Sequence, residues 1–144
     1  MEKFDALKLE NQICFPLYAA SREVVKRYRP FLDEINLTYT QYIVMMVLWE
    51  DKKISVKELG KKLYLDSGTL SPVLKSLEAK GFVTRKRSMQ DERVLIAEIT
   101  EAGMAVQKEA AHVPGEVNKF VNISAEESKQ LYELLYKVLV SLAD

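Results

Sequence analysis

Apolar positions recur at threes and fours along much of this chain, the spacing of one face of an α-helix. From Leu9 to Leu32 the stripe is Leu9, Ile13, Leu17, Ala20, Val24 and Tyr28. Pro16 lies inside that run. A proline there removes the bond to residue 12 and crowds its carbonyl, which predicts a kink or a new helix start near Phe15. Pro30 predicts a bend or an end near Arg29. Thr38-Tyr39-Thr40-Gln41 has the form of a capping box and opens a helix through Trp49. Tyr42 to Trp49 is apolar nearly all round, so this helix is expected to be buried on several sides, with Met45 and Met46 as core filler.

Two short helices are predicted next. Ser55-Val56-Lys57-Glu58 is a second capping box, and Val56, Leu59 and Leu63 form the apolar side behind it. Asp66 stands where an N-cap belongs, before a stripe of Leu70, Leu74 and Leu77 that ends at Gly81. Phe82–Arg87 and Val94–Ile99 read as strands joined by the polar segment 88–93. Helix, helix, strand, charged loop, strand is the order of a winged helix. After it, Thr100 can cap a helix to about His112, which Pro114-Gly115 breaks or kinks, with the helix free to resume toward Phe120. Ser124-Ala125-Glu126-Glu127 is a third capping box and starts a last helix striped by Leu131, Leu135, Val138 and Leu142.

The predicted fold is mainly α with a small β-wing (α+β), a winged helix-turn-helix with N- and C-terminal dimerisation helices. Residues 1–144 are expected as a single domain. Within it, 1–35 and 101–144 form a helical dimerisation region, and 36–100 form the winged helix-turn-helix DNA-binding region. The apolar stripe of the last helix needs a partner, either within one chain or, with the long first helix, in a second copy. Proteins that read two half-sites are usually dimers, which favours the second copy.

The net charge is zero, but it is unevenly placed. Lys52 to Arg93 carries eleven cations and five anions, a surplus of six, whereas the remainder carries ten cations and sixteen anions. A basic reading head on an acidic scaffold suits nucleic acid. Ser67, Ser71 and Lys75, four apart, form a face of small hydrogen-bonding side chains ending in a cation, as a groove-entering helix requires. Arg93 lies near the base or tip of the wing, ready for a minor groove or a phosphate. The candidate DNA-binding residues are Asp66, Ser67, Gly68, Thr69, Ser71, Lys75, Arg85, Lys86, Arg87 and Arg93. The alternative for any one lysine cluster is a solvated face.

One cysteine and one histidine, Cys14 and His112, argue against an intrachain disulfide, a metal site or His-based catalysis. No metal and no cofactor is expected. The longest apolar run is too short to span a bilayer and no signal segment opens the chain, so a cytoplasmic protein with no membrane partner is expected.

Asp91-Glu92-Arg93, followed by Ile99-Thr100-Glu101-Ala102-Gly103, resembles the wing signature of MarR-type transcription regulators. The helical order resembles that family over nearly the whole chain. Two stretches resemble its organic-hydroperoxide-sensing branch, OhrR: Leu9 to Phe15, continuing into Tyr18 to Glu23, and Leu65 to Pro72. This resemblance implies a homodimeric repressor on a pseudo-palindromic double-stranded operator. It implies a recognition helix from Ser67 to Lys80 and Arg93 in the wing. It further implies Cys14 as a peroxide sensor, with Tyr28 and Tyr39 near its sulfur, from the same or the other subunit. Tyr18, one turn beyond Cys14, is a third aromatic neighbour. One departure is Pro16, where an ordinary helix former is expected; it would place Cys14 at the mouth of a helix, where the dipole favours a thiolate, or be a harmless kink.

The chemistry asks for a thiolate nucleophile and yields a sulfenic acid. Tyrosine hydroxyls can donate hydrogen bonds to a sulfur anion. Phe15, Leu17 and Val25 would suit an organic hydroperoxide better than hydrogen peroxide. With no second cysteine, any disulfide is with a small thiol or another chain. The residues alone equally fit a buried structural cysteine. A rival keeps fold and DNA but makes the trigger a small aromatic ligand in the dimer cleft. An enzyme, such as a thiol peroxidase, lacks a resolving cysteine and a nearby histidine, so no enzyme is expected.

Overall fold

A computed structural model describes residues 3–143. The chain divides into two compact units, Met1–Val113 and Pro114–Asp144. The first opens with two single 3₁₀ turns, Asp5–Leu7 and Leu9–Asn11, and then enters helix α1 (Cys14–Asp33). Regular helix therefore starts at Cys14 rather than Leu9. Pro16 explains this: it sits in the first turn, where an amide has no helical acceptor to lose. Of the two outcomes expected at Pro30, a bend or an end, the end does not occur, and the helix runs on to Asp33. The proline removes one hydrogen bond near the C-terminus, while burial of Leu32 and contacts of the Tyr28 ring hold the last turn. Beyond α1 the chain turns through Asn36 at φ 57°, a left-handed conformation that asparagine tolerates. There the Leu37 amide donates to the Leu32 carbonyl at 3.1 Å.

Helix α2 (Tyr39–Asp51) starts at the expected capping box: the Gln41 amide donates to Thr38 Oγ1 at 3.2 Å and the Thr38 amide to Gln41 Oε1 at 3.0 Å. Val44, Met45 and Leu48 are fully buried, as its all-round apolar sequence predicts. Met46 is the exception; it is exposed and fills no core in this chain. Strand β1 (Lys53–Ser55) follows, and it was not expected. Three residues carry no alternation to read; they become a strand by pairing with a segment more than forty positions away.

Helix α3 (Val56–Leu63) is capped by Ser55, whose hydroxyl accepts the Glu58 amide at 3.1 Å. Helix α4 (Ser67–Ala79) is capped by Asp66. Between them the turn folds back on Gly60. Its carbonyl accepts the Leu65 amide at 3.0 Å, and a Cβ there would stand 2.6 Å from the Leu65 carbonyl oxygen. Only glycine fits that crossing. Leu59, Leu70, Leu74 and Leu77 are buried with Val83 and Ala97 in the core.

Strands β2 (Val83–Arg87) and β3 (Leu95–Ile99) make the wing. The sheet is antiparallel in the order β1-β3-β2, with Val83 opposite Ile99, Arg87 opposite Leu95 and Ile54 opposite Ala97. Thr100 caps helix α5 (Glu101–Ala110). Trp49 Nε1 donates to the Gly103 carbonyl at 2.9 Å, while a Cβ on Gly103 would collide with the Phe82 carbonyl. The glycine of the wing signature is thus a packing requirement where α5 meets the residue before β2 and the end of β3.

The helix after the wing ends at Ala110 and resumes after two turn residues, as expected, but the interruption comes before Pro114 and not at it. Instead Pro114 lies in the first turn of helix α6 (Val113–Asn118), where proline is accommodated. In the second unit Ser124 and Glu127 form a complete capping box at the start of helix α7 (Ala125–Leu142). None of its residues is buried; Leu131, Leu134, Val138, Val140 and Leu142 are exposed.

Candidate DNA-reading head and thiol sensor

The start of α4 is shaped by Asp66. Its Oδ1 accepts the Thr69 amide at 2.7 Å, and that bond holds the carboxyl below the usual carboxylate range. Ser67, Gly68, Thr69, Ser71 and Lys75 are all exposed, on the side opposite the buried Leu70, Leu74 and Leu77. The face predicted for a groove is therefore open, with small residues first and the cation two turns on. Pro72 sits on the same exposed side within the helix. It withholds the amide that would bond the Gly68 carbonyl, and because Gly68 is exposed that carbonyl remains open to water.

Arg85, Lys86 and Arg87 run down β2 but do different things. Lys86 and Arg87 are exposed. Arg85 is drawn inward: its Nη2 meets Glu78 Oε1 at 3.2 Å, and its own amide donates to Glu78 Oε2 at 3.2 Å. Its Nε is buried without a hydrogen-bond partner. Arg85 therefore fastens the wing to the end of α4 instead of presenting a free cation. Glu78, which the sequence reading passed over, is the other half of that clasp.

The wing loop is closed by the Ser88 amide on the Val94 carbonyl at 2.7 Å. Within it Asp91 grips Arg93 with both carboxylate oxygens, at 3.1 Å to Nε and 3.1 Å to Nη2, and also accepts the Arg93 amide. The Arg93 guanidinium lowers the Asp91 carboxyl below its ordinary range. The Arg93 side chain is 90% exposed, so it is oriented yet open to a partner. The spacing Asp91-Glu92-Arg93 is explained by this local fork.

Cys14 is the first residue of α1 and is exposed. Tyr18, one turn on, is also exposed, with the Arg22 guanidinium 5.3 Å from its ring centre. Phe15 and Leu17 are exposed beside them. Tyr28 and Tyr39 are elsewhere. Their rings form an edge-on pair 4.9 Å apart at the corner between α1 and α2, and both touch the Tyr42 ring, at 5.7 Å and 6.1 Å. Burial raises all three phenols above their usual range, Tyr42 to about 12. Fourteen residues of α-helix separate Cys14 from Tyr28, about 21 Å along the axis. Within one chain the structure brings Tyr18 towards Cys14 but keeps Tyr28 and Tyr39 away.

The same corner is tied to α4 by a polar cluster that sequence reasoning missed. Gln41 is 6% exposed. Its Nε2 donates to Ser76 Oγ at 2.9 Å, and its Oε1 accepts Lys80 Nζ at 2.8 Å. Lys80 also donates to the Asn36 carbonyl at 2.6 Å, and burial lowers its ammonium below the usual lysine range. Gln41 was visible as a capping residue; its second role depends on tertiary contacts 35 and 39 positions away. Among the described residues, no group of His, Cys, Asp and Glu could hold a metal, and no helix is long and apolar enough to cross a membrane.

Comparisons with known proteins agree with this geometry. Residues 26–110 match the family model "Transcriptional regulator SarA/Rot". The chain is 49% identical over 140 residues to the organic hydroperoxide resistance transcriptional regulator of Bacillus subtilis, covering 97% of this chain and 95% of that one. It is 43% identical over 123 residues to the HTH-type transcriptional regulator SarZ of Staphylococcus aureus, covering 85% and 83%. Among solved structures, AbfR of Staphylococcus epidermidis, reduced and bound to DNA, matches with a TM-score of 0.79 at 34% identity, over 99% of this chain and 100% of that one. The overoxidised form of AbfR bound to DNA matches equally. Open reading helix, gripped wing arginine and exposed helix-start cysteine thus coincide with similarity over nearly the whole length, and the chain belongs to the winged-helix transcriptional regulators of the SarA/Rot and MarR type, in the organic-hydroperoxide-responsive branch.

Proposed function

We propose that this chain is a homodimeric DNA-binding repressor that leaves its operator when Cys14 is oxidised by an organic hydroperoxide. The observation that carries the reading is the placement of Cys14 and the tyrosine pair at opposite ends of one helix. About 21 Å apart, they cannot meet within a chain. A two-fold axis across α1 would bring each Cys14 to the partner copy's Tyr28 and Tyr39, and would build two equal sites at once, as isologous contacts require. Exposed Ile13 just before α1, Phe15 and Leu17 on it, and the open stripe of α7 supply apolar surface for such a partner.

In the reaction the Cys14 thiolate attacks one peroxide oxygen. The S–O bond forms as the O–O bond breaks, and the alkoxide leaves and takes up a proton as the alcohol. The cysteine loses two electrons to the peroxide and becomes a sulfenic acid. A small thiol then displaces water to give a mixed disulfide, since this chain has one cysteine. Overoxidised AbfR is a DNA-bound form of that relative and disulfide-formed AbfR is another solved form, which supports a disulfide rather than overoxidation as the releasing state. Each Cys14 reacts once until it is reduced, so the chain is a cytoplasmic switch and not an enzyme. Ser67, Gly68, Thr69, Ser71 and Lys75 read the major groove from α4, Asp66 fixes its first turn, and Lys86, Arg87 and Arg93 hold phosphate or minor groove from the wing.

The test is fluorescence anisotropy on a duplex from the gene's own upstream region at fixed salt. Stoichiometric cumene hydroperoxide with cysteine should release wild type and leave Cys14→Ser bound. A serine variant that is released equally would make the trigger a ligand and Cys14 structural.

A further inference from the structure

We propose that Gln41, with Ser76 and Lys80, is the relay that carries the state of the tyrosine corner to the recognition helix; this rests on the peroxide response proposed above. The corner between α1 and α2 holds Tyr28 on one side and Tyr39 on the other, with their rings 4.9 Å apart. Tyr39 is the first residue of α2, and the residue capping it is Thr38. Gln41 closes that cap by accepting the Thr38 amide. From the same side chain it reaches across to α4, donating to Ser76 Oγ at 2.9 Å and accepting Lys80 Nζ at 2.8 Å. Lys80 then bonds the Asn36 carbonyl at 2.6 Å, at the left-handed residue of the corner itself. Three hydrogen bonds therefore join the last turn of α4 to the backbone and cap that carry Tyr39.

Three features make this a coupling device and not ordinary packing. Gln41 is a buried amide whose donor goes to Ser76 and whose acceptor is shared between the Thr38 amide and Lys80, so it cannot follow a shift of the corner without moving Ser76 or Lys80. Among the described residues Lys80 bonds neutral oxygens, two carbonyl groups that belong to the moving side, so a displaced corner leaves a half-buried cation short of acceptors. And the bonds lie at the C-terminal end of α4, far from the exposed Ser67–Ser71 turn. A small displacement there tilts the helix, and the tilt is read at its groove-facing end, where two heads must register together.

The experiment compares duplex affinity before and after oxidation with cumene hydroperoxide and cysteine, for full-length wild type, Gln41→Met and Ser76→Ala. Gln41→Met keeps the length and removes the polar links. Ser76→Ala removes one link and leaves Gln41 bonded to Thr38 and Lys80, so it reads the same question if the first variant folds poorly. Wild type should lose affinity by roughly 5–150-fold on oxidation. In the variants that ratio should fall to about threefold or less, with mass spectrometry showing Cys14 oxidised to the same extent. A purely structural role would weaken both states alike and leave the ratio unchanged, which would overturn the relay. Wild type that keeps its duplex after full oxidation of Cys14 would overturn the sensor reading itself, and the relay with it.

Discussion

Helices α4 and α7 carry almost the same leucine-rich pattern and meet opposite fates. In α4, Leu70, Leu74 and Leu77 are completely enclosed by the rest of their own unit. In α7, Leu131, Leu134, Val138 and Leu142 remain open to water. Periodicity specifies that a helix has an apolar face; it does not specify whose surface covers it. The core of the reading head is complete in one copy, whereas α7 presents the kind of apolar area that marks an interaction surface.

The largest effect should come from breaking α7 rather than α4. Leu131→Glu with Val138→Glu should convert the protein to monomers by sedimentation, and operator affinity should fall by about 10³ or more, towards non-specific binding. Its unfolding midpoint should become independent of protein concentration. Leu74→Ala should do the reverse. It should cost roughly 2–5 kcal/mol of stability through the cavity it leaves, with the oligomeric state unchanged in the molecules that remain folded. If the α7 variant stayed dimeric, the second copy would have to be held elsewhere.

A second difference separates the tyrosines of the α1–α2 corner from Tyr18. Tyr42 is buried and its phenol is pushed up to about 12 by burial, then by Tyr28 and Tyr39; Tyr18 is exposed. A folded value above the unfolded one means that the contribution is fully present below pH 10 and is lost as pH rises towards 12. Wild type should therefore lose up to roughly 2 kcal/mol more stability across that window than Tyr42→Phe does, read as urea midpoints at stepped pH.

Much of this architecture was legible in advance because it is encoded locally. Thr38, Ser55, Asp66, Thr100 and Ser124 cap helices where their sequence motifs place them, and the leucines of α4 face inward as their spacing requires. What escaped reading was non-local. Strand β1 exists by pairing with β3, the ammonium of Lys80 is used up by a carbonyl 44 residues away, and Arg85 is taken by Glu78. Pro30 was expected to bend or end its helix and Pro114 to break or kink one, but position within a helix decides between such outcomes. Pro114 is in a first turn, and Pro30 sits near an end that packing secures. Cys14 was found by resemblance, and its distance from Tyr28 then follows from helix geometry alone.

The smallest effect on stability, and the most telling for the reading head, should come from Arg93. Its bidentate bridge to Asp91 is on the surface, with the guanidinium almost wholly in water. Such pairs contribute about 0–1 kcal/mol to folding, so Arg93→Ala should leave the melting curve nearly where it was. The same charge aimed at DNA has another worth. Losing one phosphate or groove contact per subunit should weaken binding across sequences and flatten the dependence of log affinity on log salt by about one per contact. Arg85→Ala should invert this pattern, because its guanidinium is committed to Glu78 and leaves a buried gap when removed. It should lower thermal stability more than it changes the salt slope. Anisotropy at four salt concentrations beside a melt of each variant would decide it: equal salt slopes for wild type and Arg93→Ala would take the wing arginine out of the DNA contact, however well Asp91 orients it.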